Sequence, residues 1–100
     1  MQTVIEVRKG RTAAKREVEF RLPAEAGKTV CIAGSFNDWE PTATPMPYDA
    51  ADACYKLCLE LAPGYYEYKF VIDGQWLMDE TNHNFAANDF GTLNSVLTVE

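Results

Sequence analysis

Strict alternation of apolar and polar residues predicts half-buried strands in two segments of this chain. Residues 17–22, EVEFRL, alternate between apolar Val18, Phe20 and Leu22 and charged neighbours. Residues 54–61, CYKLCLEL, alternate in the same way, and the side chains expected to face inward are Tyr55, Leu57, Leu59 and Leu61. A period of two residues is typical of a strand with one face in a core and the other in water.

A third alternating segment follows at residues 65–73, YYEYKFVID. Pro63 and Gly64 precede it, and this pair suits the centre of a type II turn, so a hairpin is expected between residues 54–61 and this segment. The face expected to point inward carries Tyr66, Tyr68, Phe70 and Ile72, and the opposite face carries Tyr65, Glu67, Lys69 and Val71.

Asp73 and Gly74 predict a tight two-residue turn at the end of this segment. Such a turn would pair Val71 with Trp76, because the two residues stand at equal distances from it. Trp76 would then project from the same face as Val71 and Lys69. The pattern therefore predicts an aromatic ring beside an amine on one face of a sheet.

Two further strands are expected at residues 29–36, TVCIAGSF, and at residues 93–100, LNSVLTVE. Residues 37–53 and 79–91 are rich in proline or in polar, turn-forming residues, and both segments are predicted to be irregular. At least five short strands without a helical period predict an antiparallel β-sandwich. Residues 17–100 would form this domain, and residues 1–16 an N-terminal extension in which TVIEV is a candidate edge strand.

The composition fits one folded domain without a basic surface. The chain has 100 residues, 47% of them hydrophobic, which suffices for one core and leaves no length for a separate catalytic domain. Its formal net charge is -6, and binding to a nucleic-acid backbone needs a basic face, so nucleic acid is not an expected partner. The absence of a long apolar run predicts no signal peptide and no membrane anchor, and a cytoplasmic location is expected.

The three cysteines, Cys31, Cys54 and Cys58, do not have the spacing of a metal site. Cys54 and Cys58 fall on one predicted strand with their Cα atoms about 13 Å apart, which is too far for a disulfide. Cys31 could meet either of them across a sheet. Reduced, buried cysteines of a cytosolic protein are the favoured interpretation.

The sequence lacks the motifs of several enzyme classes. It has no GxSxG nucleophile elbow, no HExxH zinc motif and no phosphate-binding glycine loop. His83 has no partner at a metal-ligand spacing and is expected to be an exposed loop residue. Asp79 and Glu80 are adjacent, so they cannot flank a sugar as a glycosidase pair does, and they are expected to be solvated loop acids. No catalytic residue, metal or cofactor is expected.

Two tryptophans and a lysine point instead to a surface that binds sugars. A hexose ring has an apolar C–H face and a rim of hydroxyl groups, so flat aromatic side chains surrounded by polar donors recognise it. Trp76 is expected beside Lys69, and Trp39 lies in the polar loop NDWEP. The alternatives are that Trp39 plugs the end of the core and that Trp76 packs on a neighbouring strand.

Three motifs in a fixed order resemble a known family. They are GSFNDW at residues 34–39, YKF followed by DGQW at residues 68–76, and NDFGTLNSV at residues 88–96. Together they resemble the glycogen-binding domain of AMP-activated protein kinase beta subunits and the related early-set domains of isoamylases and branching enzymes. The resemblance covers residues 17–100 and implies an all-β, immunoglobulin-like (early-set) antiparallel β-sandwich. It also implies binding without cleavage of α-1,4-linked glucans such as glycogen, starch or maltodextrin.

The resemblance further implies which side chains contact the glucan. Phe90 departs from the kinase-type pattern, in which a leucine reaches into the curved glucan, and Thr92 is a secondary candidate. The full set is Trp39, Lys69, Trp76, Phe90, Thr92 and Asn94. In several isoamylase-like enzymes the domain docks against the catalytic barrel, so a docking module for a glucan-metabolising enzyme or a kinase is the alternative function. A small hydrolase is a third hypothesis, because such domains are often fused to glycosidases.

Overall fold

A computed structural model describes residues 14–100 of the protein. In this part of the chain eight strands and one short 3-10 helix follow one another. They are β1 (Arg16–Leu22), β2 (Val30–Gly34), the 3-10 helix (Ser35–Asn37), β3 (Tyr48–Asp49), β4 (Cys54–Leu61), β5 (Gly64–Ile72), β6 (Gln75–Leu77), β7 (Phe85–Ala87) and β8 (Leu93–Val99).

The strands form two antiparallel sheets. The small sheet has the order β1-β4-β3, and the large sheet has the order β2-β5-β8-β7, with β6 paired to β5. Strand β8 pairs with residues 64–68 of β5 and β6 pairs with residues 70–72, so the two share one edge of β5 in succession. The predicted all-β antiparallel sandwich is confirmed.

The core lies between the two sheets and is made by the side chains that the alternation assigned to it. Phe20 of β1 packs edge-on against Tyr68 of β5, with 5.1 Å between the ring centroids, and Tyr68 contacts Phe70 at 5.9 Å. The buried cluster also includes Ile32 of β2 and Tyr55 of β4. Strands β1, β4 and β5 thus turn one face towards the core and the other face away from it.

The hairpin expected at Pro63 and Gly64 is wrong. Within residues 14–100, β4 pairs with β1 and β3, and β5 pairs with β2, β6 and β8, so the two strands lie in different sheets. Both strands carry one apolar face, and packing these faces against each other across the core buries more than a hairpin would. Gly64 has a φ of 156°, not the value near +80° that a type II turn requires, and it carries the chain from one sheet to the other.

The turn expected at Asp73 and Gly74 is confirmed. Their φ angles are 48° and 85°, as in a type I′ hairpin turn, and Val71 pairs with Trp76. The turn is also tied to the start of β2, because the Thr29 amide donates to the Asp73 carboxylate at 2.9 Å and the Asp73 amide donates to the Thr29 carbonyl at 2.8 Å. Trp76 therefore follows a turn that two hydrogen bonds hold to the start of β2.

Two short strands lie where irregular structure was predicted. Strand β3 contributes two residues to the edge of β4, and β7 contributes three residues to the edge of β8. Two or three residues are too few to show a period, so the sequence pattern could not reveal them. The candidate edge strand TVIEV lies outside the described residues. No helix in the described part of the chain is long and apolar enough to cross a membrane.

The expectation that Asp79 is a solvated loop acid is wrong. Asp79 is 7% exposed, its carboxylate accepts the hydroxyl of Tyr68 at 2.7 Å and that of Thr81 at 2.7 Å, and its amide donates to Ser95 Oγ at 3.0 Å. Burial raises the pKa of Tyr68, the hydrogen bond from Asn82 opposes this rise, and the bond to Asp79 adds to it. Asp79 therefore joins β5, β8 and the following loop. Its neighbour Glu80 is exposed, as is His83, as expected.

All three cysteines lie in the described part of the chain and are free thiols. Cys31 and Cys54 are buried, as expected, whereas Cys58 is exposed. The expectation of burial is wrong for Cys58 because it sits on the outer face of β4, on the side away from the core.

Candidate functional site

An open cavity of ≈ 950 Å³ lies on the outer face of the large sheet, on the side away from the core. Strands β5, β6 and β8 supply its floor, and the loops after β2 and β7 supply its walls. The side chains predicted for sugar binding line this cavity together: Trp39, Lys69, Trp76, Phe90, Thr92 and Asn94. The lining also includes six residues that were not predicted as site residues, namely Ser35, Tyr65, Glu67, Ala87, Asn88 and Asp89.

Trp76 stands on the floor of the cavity as a partly exposed ring. Its strand β6 is paired so that Trp76 lies across from Val71, whose side chain is on the same face as Lys69. The indole is 45% exposed. The predicted neighbourhood of an aromatic ring and an amine on this face is present in the structure.

Trp39 forms one wall of the cavity by packing on the outer face of the large sheet. Its ring contacts the small apolar cluster of Cys31, Ala33 and Val71. This cluster is separate from the core between the sheets, so Trp39 is not the plug over the core end that was considered as its alternative role. Trp39 and Asp38 have φ angles of 59° and 58°, a left-handed pair that reverses the chain and turns the indole back over the sheet.

Asn37 holds the loop that presents Trp39. Its Oδ1 accepts the amide of Gly34 at 3.0 Å, and its Nδ2 donates to the Ile32 carbonyl at 3.0 Å and to Thr44 Oγ1 at 2.9 Å. Gly34 has no room for a side chain, because a Cβ there would lie 2.6 Å from the Glu67 carbonyl oxygen. The GSFNDW motif is thus a compact structural unit with Trp39 at its end.

Asn88 holds the opposite wall. Its Oδ1 accepts the amides of Phe90 at 2.9 Å and Thr92 at 3.1 Å, while its Nδ2 donates to Thr92 Oγ1 at 2.7 Å and to Asn94 Oδ1 at 2.8 Å. Gly91, with a φ of 80°, lets the loop turn between Phe90 and Thr92. The loop presents Phe90 with 90% of its surface exposed.

A chain of hydrogen bonds continues across the cavity floor. Lys69 Nζ donates to Thr92 Oγ1 at 2.9 Å, and Asn94 Nδ2 donates to Glu67 Oε1 at 2.9 Å. Asn94 is only 7% exposed and has both ends of its amide engaged. One Nδ2 hydrogen of Asn94 remains for another acceptor.

Tyr65 closes this chain at the far end of the floor. Its hydroxyl donates to Glu67 Oε2 at 2.9 Å, and this bond raises the pKa of the phenol. The alternation of β5 places Tyr65 and Glu67 on the same face as Lys69. This is the sequence signal that could have identified them as residues of the cavity. For Asn88 the signal was the polar turn sequence before Gly91, because asparagine commonly bonds backbone amides two or more residues ahead.

The cavity combines aromatic rings with amide and hydroxyl groups that are already connected to one another. Among residues 14–100 no group of three or more His, Cys, Asp or Glu side chains is arranged to hold a metal ion. The aromatic rings offer flat apolar faces, and the amide, hydroxyl and ammonium groups offer donors and acceptors around them. This arrangement suits an uncharged ligand with apolar faces and polar edges.

Comparison with known proteins agrees with this description. Residues 17–100 match the family model of the glycogen recognition site of AMP-activated protein kinase. The chain is 35% identical over 77 residues to 5'-AMP-activated protein kinase subunit beta-2 of Mus musculus, a match that covers 77% of this chain and 27% of that protein. It is 31% identical over 96 residues to subunit beta-1 of Sus scrofa, covering 96% of this chain and 74% of that sequence.

The human beta-1 and beta-2 subunits match in the same way. Identity to beta-1 is 31% over 94 residues, covering 33% of that protein, and identity to beta-2 is 35% over 77 residues, covering 27%. The chain thus spans about a third or less of these human relatives. Residues 17–100, which the family model matches, contain the core strands and both walls of the cavity. The chain belongs to the family of glycogen recognition domains of AMP-activated protein kinase, which are non-catalytic carbohydrate-binding modules.

Proposed function

We propose that the cavity on the large sheet binds α-1,4-linked glucan chains, as in glycogen, starch or maltodextrin, with Trp39 and Trp76 stacking on glucose rings. The observation that carries the proposal is that two indoles and one lysine, chosen from the sequence, line a single open cavity. An indole offers a large, rigid apolar face to the C–H face of a hexose. The glucan is held on the surface and is not cleaved.

Polar groups at the floor of the cavity fix the orientation of the sugar. Lys69 donates to glucose hydroxyl groups, and Thr92, whose oxygen already accepts from Lys69 and Asn88, donates its hydroxyl hydrogen. Asn94 contributes its remaining Nδ2 hydrogen. Since these groups are already joined to Asn88 and Glu67, they lose little freedom when the sugar arrives, which favours binding.

Phe90 completes the surface from the loop after β7. Its ring is 90% exposed and nothing on the protein covers it in the described part of the chain, so burial against a sugar gains apolar contact at that position. The cavity is open, and an open surface recovers little beyond the free energy needed to immobilise the chain. Weak binding is therefore expected, with dissociation constants in the micromolar to millimolar range.

Isothermal titration with β-cyclodextrin and maltoheptaose tests the proposal. The wild-type protein should release heat with both sugars, and Trp76→Ala and Trp39→Ala should each bind at least tenfold more weakly, since each removes one platform. Tyr48→Ala serves as the control, because Tyr48 is a partly exposed aromatic residue on the small sheet. Absence of heat, together with unchanged NMR spectra at millimolar sugar, would exclude the proposed function.

The remaining expectations about the whole protein belong to the same proposal. Residues 17–100 form the binding domain, residues 1–16 are an extension, and the chain has no enzymatic activity of its own. The proposed location is the cytoplasm, and the three free thiols support it because unpaired cysteines are typical of reducing compartments. A reducing-sugar assay on glycogen should give no product, and fractionation should recover the protein with cytoplasmic markers.

Docking to a kinase or a glucan-metabolising enzyme is the second candidate function. Two observations favour it: the relatives are named as kinase subunits, and Leu77 and Leu93 are exposed apolar side chains outside the cavity proposed to bind glucan. A pull-down from lysate with wild type and Trp76→Ala, with and without maltodextrin, separates the two functions. Capture of a protein partner that maltodextrin and Trp76→Ala leave unchanged would identify docking through another surface.

A further inference from the structure

We propose that the glucan surface continues past Tyr65 into a second cavity, so that one extended glucan chain occupies both cavities. The second cavity has a volume of ≈ 690 Å³ and adjoins the first, because Tyr65 lines both of them. The inference rests on the proposed function and extends the same surface, with Tyr65 as the ring that both cavities share.

The floor of the second cavity is the continuation of the same sheet face. Tyr65 of β5 pairs with Thr98 of β8, and Glu67 pairs with Val96, so these side chains stand on the outer face in two adjacent rows. Its far wall is the loop before β7, which includes His83 and Asn84. A glucan leaving the first cavity along β5 therefore meets a continuous floor.

The far wall is held in place by bonds to β8. The Val96 amide donates to the Asn84 carbonyl at 2.9 Å, and Asn82 Nδ2 donates to the Val96 carbonyl at 2.8 Å. Asn82 Nδ2 also donates to the hydroxyl of Tyr68 at 3.1 Å, which ties the loop to the buried bond between Tyr68 and Asp79. The groove is thus preformed, which lowers the entropic cost of binding.

Tyr65 has the properties of a stacking platform. Its side chain is 58% exposed, and the bond from its hydroxyl to Glu67 makes the ring lean along β5 towards the first cavity. The groups around it, on Thr98, His83 and Asn84, can exchange hydrogen bonds with sugar hydroxyls. An aromatic face with a polar rim repeats the chemistry of the first cavity.

The spacing of the two aromatic platforms determines the ligand. Val71, beside which Trp76 stands, is six residues from Tyr65 along β5, a distance of about 20 Å. Lys69 and Glu67 lie between the two on the same face. A ligand that reaches from Trp76 to Tyr65 must be an extended chain of several hexose units, so a short oligosaccharide contacts only one of the two platforms.

Isothermal titration of maltotriose and maltoheptaose into the wild type and Tyr65→Ala tests this inference. Removing the ring should weaken maltoheptaose binding roughly 2- to 12-fold, the range expected for one aromatic contact, and leave maltotriose binding unchanged within twofold. A longer chain also offers more binding registers, so a length preference of the wild type is not by itself decisive. The decisive quantity is the ratio of maltoheptaose affinity to maltotriose affinity, and how far Tyr65→Ala lowers this ratio.

Tyr65→Phe is the matched variant, because it keeps the ring and removes the bond to Glu67. It should retain most of the maltoheptaose affinity, and a loss as large as that of Tyr65→Ala would exclude stacking on the ring. In NMR spectra, maltoheptaose should shift the amides of His83 and Thr98 and maltotriose should not. Equal shifts with both sugars would make the second cavity a separate site and overturn the proposal of one spanning chain.

The outcomes separate this inference from the proposed function. If maltoheptaose binds in a manner that depends on Trp76, while Tyr65→Ala leaves its affinity unchanged, the extension is wrong and the first cavity stands. If neither glucan binds the wild type, both fail. Thermal unfolding of each variant should match the wild type, because Tyr65 is largely exposed.

Discussion

The outer faces of the two sheets are built from the same alternation and differ in chemistry. On the small sheet the outward residues are charged and paired: Arg21 contacts Glu19 at 2.8 Å, and Lys56 contacts Asp49 at 3.0 Å and Asp52 at 2.6 Å. On the large sheet the outward residues are aromatic rings and a network of amide and hydroxyl groups.

The two faces differ in how their polar groups are paired. Charged pairs in water satisfy one another and contribute little to stability. On the large sheet, Asn88 and Glu67 connect neighbouring side chains while the rings of Trp76 and Phe90 stay open to solvent. The small sheet therefore presents charged groups that are already paired, whereas the large sheet presents the aromatic surface proposed to bind glucan.

The largest expected effect comes from Phe70→Ala, which removes one large side chain from the core between the two sheets. Phe70 is 0% exposed, and its loss should lower the free energy of unfolding by roughly 3–5 kcal/mol. Phe90→Ala is the matched control, since the same change at an exposed position should alter stability by less than about 0.5 kcal/mol. Urea unfolding measures both variants, and glucan titration of Phe90→Ala should show weaker binding. Equal destabilisation by the two would contradict the assignment of core and surface.

Asn88→Ala should impair the large sheet's face alone. It removes four hydrogen bonds that hold Phe90, Thr92 and Asn94, and glucan affinity should fall about tenfold, as the loss of ordered contacts worth about 1.4 kcal/mol would give. Isothermal titration provides the measurement.

Asn88→Asp separates the two roles of this residue. The carboxylate keeps the acceptor for the amides of Phe90 and Thr92 but loses the donor to Thr92 Oγ1 and Asn94 Oδ1. Affinity between those of wild type and Asn88→Ala would show that both halves of the amide matter. Wild-type affinity in both variants would mean that the loop needs no such support.

Alkaline pH should affect the two sheets through different groups. Tyr68 and Lys56 both have raised pKa values in the folded protein, Tyr68 mainly through burial and Lys56 mainly through its hydrogen bonds to Asp52 and Asp49. A raised pKa means that the folded state holds its proton more firmly than the unfolded chain. The stability that each group contributes is then complete below its ordinary pKa, and it is lost as the pH rises through the raised pKa of the folded state.

Salt distinguishes these two contributions. Lys56 is near the surface, so high salt should weaken its part of the alkaline loss, whereas the buried Tyr68 should respond little. Urea unfolding from pH 8 to 11 for wild type, Tyr68→Phe and Lys56→Met measures each contribution. If Tyr68→Phe and the wild type lose the same amount of stability between pH 8 and 11 at high salt, the role given to Tyr68 is wrong.

Arg21→Ala should have the smallest effect. Its guanidinium contacts Glu19 at 2.8 Å and Asp52 at 3.5 Å on an exposed surface, where solvent screens such pairs and they contribute little to stability. Unfolding in urea should show only a small loss, which decreases further in 1 M NaCl, and titration should show unchanged glucan affinity. Weaker glucan binding in Arg21→Ala would mean that the two faces are coupled.

Sequence alternation was sufficient to predict the strands that have one apolar and one polar face. The inward faces of β1, β4 and β5, and the turn at Asp73 and Gly74, follow directly from local pattern. The pattern could not determine which sheet each strand joins. The error at Pro63 and Gly64 has this origin, because a hairpin and a crossing between sheets satisfy the same alternation.

The floor of the cavity was predictable and its support was not. The turn at Asp73 and Gly74 is visible in the sequence, and it predicts Trp76 on the same face as Lys69. The buried state of Asp79 and the bracing by Asn88 depend on residues that are distant in sequence, such as Tyr68 and Asn94. Polar side chains in loops look alike in a sequence, whether they face water or hold the fold together.

The position of the tryptophans gives this domain an optical property of its own. The chain contains two tryptophans, and both line the cavity on the outer face of the large sheet. Excitation selective for indole therefore yields emission from this one surface, with no background from elsewhere in the chain. A sugar that displaces water from Trp76 changes the polarity around the fluorophore, so its arrival can be followed in the unlabelled protein. The same emission records whether the turn and the loop that carry the two rings are intact.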